Sequence, residues 1–113
     1  MNESHSICTA RIANNIKALL GAYGMTNREL ANALAIGESS VGKWVNGVNG
    51  PAIGMLQKIA DYFKVSIDDL VTFHKDQTFA DPNRRYILDK IENSTPSDLA
   101  KLRTIIDLIE NEK

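Results

Sequence analysis

Two histidines and one cysteine are the side chains best suited to ligate a metal or serve a nucleophile, and their placement argues against both uses. His5 and His74 lie far apart and lack metal-ligand spacing. Cys8 is the sole cysteine, so these 113 residues can close no internal disulfide, which suits a reducing compartment. No serine or cysteine stands in a recognisable nucleophile–base arrangement, and the scattered carboxylates belong to helix caps and exposed faces. The expectation is a protein that is not an enzyme and carries no metal and no cofactor. What remains for its polar side chains is recognition, and that depends on the elements that hold them.

Hydrophobic periodicity supplies those elements. Ile12, Ile16, Leu19 and Leu20 mark one face of a helix from Thr9 to about Tyr23, with Arg11, Asn14, Asn15 and Lys17 mostly off the stripe; Gly21 and Gly24 end it. Thr26-Asn27-Arg28-Glu29 has the form of a capping box, opening a short helix that turns Leu30, Ala31 and Leu34 inward. Ala35-Ile36-Gly37 reads as a tight turn. A third helix, from about Glu38 to Val45, buries Val41 and Trp44. The spacing of Trp44 from Val41 makes it core rather than a ring offered for stacking. Asn46 to Pro51 is a loop by composition. A fourth helix from about Ile53 to Phe63 repeats Leu56, Ile59, Ala60 and Phe63, and Ser66-Ile67-Asp68-Asp69 caps a short fifth.

No stretch alternates with period two, so the fold class is all-α. Residues 1–71 form a five-helix domain, 72–82 a linker, and 83–113 a C-terminal helical hairpin. The hairpin begins near Arg84. Its second helix starts at Thr95-Pro96-Ser97-Asp98, with threonine at N-cap, proline at N1 and an acid at N3. Ile87 and Ile91 on the first helix, and Leu99, Leu102, Ile105, Ile106 and Ile109 on the second, make an aliphatic stripe that needs a partner. It either folds back as extra core or joins a second copy, and dimerisation is the favoured reading.

Composition sets the outer bounds. The chain is 43% hydrophobic and 24% charged, ordinary for a globular protein. Its first six residues resemble no signal peptide and no apolar run approaches a membrane span, so a cytoplasmic protein without membrane contact is expected. Net charge is -1, and residues 1–71 carry six Lys/Arg against six Asp/Glu.

The run Asn27 to Gly47 resembles the helix-turn-helix of Cro/CI (XRE-type) transcriptional regulators. Leu30-Ala31 matches the first helix of that motif, Val41 and Trp44 the buried face of the second, Asn46-Gly47 and Pro51 the following loop, and Val65 to Leu70 the final helix. The resemblance covers about residues 9–71 and implies a lambda-repressor-like DNA-binding domain. It places Glu38, Ser39 and Lys43 toward base edges in the major groove. Lys43 would donate to guanine O6/N7 and Glu38 would accept from cytosine N4. The alternatives are a solvated lysine and a glutamate that only favours the helix dipole. Thr26, Asn27, Arg28, Ser40, Asn46 and Asn49 fall where the family meets phosphates.

The sequence departs from the family at Ala35, where glycine is frequent, at Gly37, where serine or threonine often caps, and at Val48-Asn49-Gly50, which lacks the usual basic residue. With few cations against phosphates, nonspecific affinity should be modest. The layout is similar to short phage-type repressors and SinR-like regulators. It implies a homodimeric repressor on a double-stranded, inverted-repeat operator, with an antagonist protein as a further partner. The competing reading is an interaction module, such as an antitoxin, with DNA binding secondary.

Overall fold

The computed structural model describes residues 3–111, with side chains from Cys8 onward. Among these residues there are seven α-helices and no strand: α1 (Glu3–Tyr23), α2 (Asn27–Leu34), α3 (Glu38–Val45), α4 (Ile53–Phe63), α5 (Ile67–Val71), α6 (Pro82–Glu92) and α7 (Pro96–Asn111), with a 3-10 turn at Thr78–Ala80. Helix α1 begins six residues before the expected start, because the polar residues ahead of Thr9 carry no apolar period to announce a helix. The side chain of His5 lies outside the described residues.

The core follows the predicted stripes. Ile16, Leu19, Leu30, Val41, Ile59, Phe63 and Leu70 are the largest fully buried side chains. Helix α1 runs through the middle, packed on both α3 and α5, while α2 packs on α3. The two predicted capping boxes are present. Thr26 Oγ1 accepts from Glu29 N at 3.1 Å and Glu29 Oε1 accepts from Thr26 N at 3.1 Å. Ser66 and Asp69 repeat the exchange at 2.9 and 3.0 Å.

Asn15 departs from its expected place off the stripe. It is buried, and its Nδ2 donates toward the carbonyls of Asp69, Leu70 and Thr72 at 3.1, 2.8 and 2.8 Å. These carbonyls close the C-terminal end of α5, where helical partners run out. One amide from α1 therefore fixes the end of a five-residue helix that is too short to stand alone.

The stretch expected as a linker is docked. Phe79 and Ala80 join the main core, and the His74 ring stacks on Phe79 at 4.0 Å between centroids. His74 Nε2 lies 2.6 Å from Asp69 O, within reach for donation. A phenylalanine and an alanine, three and two residues ahead of a proline, carry no periodic signal in so short a segment.

The tail differs in kind from the domain. No residue of α6 or α7 is buried. Helix α6 is tied down by charge instead: Lys64 Nζ lies 3.2 Å from Glu92 and 3.6 Å from Asp89, and Arg84 lies 3.6 Å from Asp69. The hydrogen bond to Glu92 raises the Lys64 pKa above its ordinary value. The Arg85 guanidinium sits 5.9 Å from the Tyr23 ring centroid and 5.1 Å from that of Tyr62. Burial pushes the Tyr23 hydroxyl above its usual pKa, with Arg85 opposing. The chain measures 49 × 30 × 23 Å, and its 16.6 Å radius of gyration exceeds the ~13 Å of a compact chain this long. The tail thus extends from the body.

Ala35 gives the turn before α3 its direction. It adopts φ 58°, ψ 45°, the left-handed C-cap of α2, and its N–H bonds back into that helix. An L-residue there costs about 1–2 kcal/mol, part of which glycine would return as freedom of the unfolded chain. Ala35→Gly is expected to raise stability by roughly 0.5–1 kcal/mol, read from a denaturant midpoint. A fall in stability would remove this account of the turn.

Candidate nucleic-acid interface

Helix α3 presents two faces of opposite character. Val41, Trp44 and Val45 are buried, and Val41 is fully so. Glu38, Ser39 and Lys43 are exposed on the other side, with Ser40 half-buried between. Because α3 packs on both α1 and α2, its outward side chains are carried on a rigid body. Gly37 caps the helix with extended backbone and no side-chain hydrogen bond. Glu38 is thus the acid in the first turn and Lys43 the base in the last, each complementing the helix dipole.

Of the residues expected at phosphates, Ser40 and Asn49 line one shallow groove with Lys43, beside Trp44 and Gly50. Thr26, Asn27 and Arg28 lie at the start of α2, outside that groove. The Thr26 oxygen is already the acceptor of the capping box, which leaves its O–H to donate outward. Arg28 is exposed and Asn27 half-buried. Asn46 is the exposed C-cap of α3, and Gly47 at φ 71° turns the chain into the loop, where only glycine carries that angle without strain.

Sequence reasoning missed the far wall of the groove. It is made by Pro51, Ala52 and Met55, where Ala52 is the N-cap of α4 without a side-chain hydrogen bond. Alanine has no capping signature, so only the folded chain reveals that this helix start opens onto the same surface. Val48 and Ile53 stand exposed close by in sequence, at 69% and 77%.

Comparison with known proteins agrees with this arrangement. Residues 16–70 match the helix-turn-helix family. The chain is 32% identical over 78 residues to the HTH-type transcriptional activator BcrR of Enterococcus faecalis. That match takes in 69% of this chain and 38% of the relative, so the chain spans little more than a third of that protein's length. A crystal structure of a transcriptional regulator from Listeria innocua superposes with a TM-score of 0.52 at 26% identity, covering 88% of this chain and 92% of that one. That overlap reaches beyond the helix-turn-helix into the tail.

Proposed function

We propose, from the premise that residues 16–70 are an XRE-type helix-turn-helix domain, that the chain regulates transcription by binding a specific operator through α3. The observation that carries this reading is the polar outer face of α3, Glu38, Ser39 and Lys43, on a helix whose inner face is locked in the core. Lys43 donates to guanine O6/N7 and Glu38 accepts from cytosine N4. Arg28, Asn49 and the amides at the start of α2 hold phosphates.

The tail makes the regulator a dimer. Ile87, Ile105, Ile106 and Ile109 are all more than half exposed, and α7 buries nothing in the single chain. A second copy covering that stripe sets two α3 helices about 34 Å apart, one DNA turn, or a multiple of it, over an inverted repeat. The domain's balanced charge makes doubling the half-sites more important, because each half-site neutralises few phosphates. Occupying a promoter this way represses it. Activation is the second reading, favoured by the name of the Enterococcus relative. A promoter–reporter assay separates the two by sign. An antitoxin role is disfavoured because the tail is helical rather than an extended wrapping segment.

Selection from a random DNA pool followed by titration tests the assignment. Lys43→Ala is expected to cost about 1–3 kcal/mol on the selected site and to relax preference at a single base position. Equal weakening on every sequence would reduce Lys43 to a phosphate contact. Absence of any enriched sequence at low salt would remove the operator reading itself.

A further inference from the structure

A second concavity lies away from the α3 surface. It is an open cavity of about 660 Å³ between the outer side of α1 and the segment 73–79, and no residue of α2, α3 or the loop after α3 lines it. Its floor is low, because Ala18, Gly21 and Ala22 bring only small side chains to that part of α1. One wall is aromatic. Phe73 is 69% exposed there, next to the stacked pair His74–Phe79.

The charge around the cavity has one sign. Arg11 and Lys17 both line it, no aspartate or glutamate does, and neither cation has an ion-pair partner among the described residues. Lys64 and Arg84, by contrast, are held in ion pairs where α6 meets the domain. The volume falls in the ordinary range for small-ligand clefts, which pair apolar walls with a few polar anchors.

We propose that this cavity binds an organic anion with a flat apolar body, an aromatic carboxylate being the simplest case. The carboxylate is held by Arg11 and Lys17. The ring lies over the small-residue floor against Phe73. Segment 73–79 runs between α5 and α6, so an occupant bridges α1 and that docked segment. This assignment does not rest on DNA binding, and its test uses the full chain without DNA.

The probe is 1-naphthoate, titrated into the labelled protein and followed by backbone amide NMR. Expected are saturable shifts confined to residues 11–22 and 73–79. Arg11→Gln and Lys17→Gln, both at exposed positions, should each weaken binding roughly tenfold, the worth of a charge-assisted hydrogen bond. Neutral 1-naphthylmethanol and inorganic phosphate should both bind far more weakly. The proposal fails if no shifts appear up to millimolar probe, or if they fall on α6 and α7 instead. It fails equally if the neutral analogue binds as well as the acid, or if phosphate alone reproduces the shifts.

Discussion

Truncation after Asp81 is expected to yield a folded monomer whose operator affinity is lower by about 10²–10⁴-fold, the range that linking two weak sites supplies. The cut spares Phe79 and Ala80, the last residues of the core. It removes only α6 and α7, which bury no residue. The interactions lost with them are part-exposed ion pairs from Lys64 and Arg84 and the Arg85 contact with Tyr23 and Tyr62, and ion pairs open to solvent on one side contribute little to folding. Stability and assembly should therefore separate. Thermal unfolding changes little, while light scattering reports the mass of a single truncated chain and operator titration shows the weakened binding. Ile105→Asp combined with Ile109→Asp makes the same point in the full chain, by placing two charges in the aliphatic stripe at positions that touch no core. A truncated protein that stays dimeric would move the interface into the helix-turn-helix domain and refute the role given to the tail.

Asn15→Leu is expected to destabilise the domain by on the order of 2–4 kcal/mol. Leucine has the branching of asparagine but no N–H, so the carbonyls of Asp69, Leu70 and Thr72 lose a donor that lies 2.8–3.1 Å away. Leaving a buried acceptor unpaired costs more than the net worth of the bond itself, and Leu70 O is the most enclosed of the three. Asn15→Asp should be worse, because a carboxylate would face three carbonyl oxygens with acceptors only. Urea unfolding gives the magnitude. The damage should centre on α5 and the residues after it, since His74 also leans on Asp69 O and stacks on Phe79. A change below about 1 kcal/mol for both variants would show that water replaces the amide and that α5 is held by Leu70 alone.

These two expectations locate the division of labour in the chain. The domain owes its stability to α1, which carries Ile16 and Leu19 into the core and Asn15 onto the end of α5. The tail owes nothing to the core and is held alongside it by charged side chains. That contrast is why the Asn15 substitution is expected to threaten folding, and removal of the tail only the proposed assembly. The cavity beside α1 belongs to the domain side of that division, lined by α1 and the docked segment 73–79.

The sequence by itself determined the helices of the recognition unit. Thr26–Glu29 and Ser66–Asp69 join partners three residues apart, so the capping exchanges are written locally and appear as predicted. The Leu30, Ala31, Leu34 set and the Val41, Trp44 pair are equally local, because helical period alone decides which side faces inward. The outward set Glu38, Ser39 and Lys43 follows from the same period.

Tertiary structure decided everything that depends on distant partners. Asn15 was polar and off the stripe by its type, yet it bonds to residues 54 to 57 positions away. Phe79 and Ala80 sit in a segment with no period of its own, and only the surface offered by α1 turns a linker into core. Ala52 joins the α3 groove because the loop after α3 brings the start of α4 beside it. The reason is common to all three. A cap or a stripe is fixed by bonds and angles within one or two helical turns, whereas a buried amide or a docked loop exists only after the chain has closed over long separations.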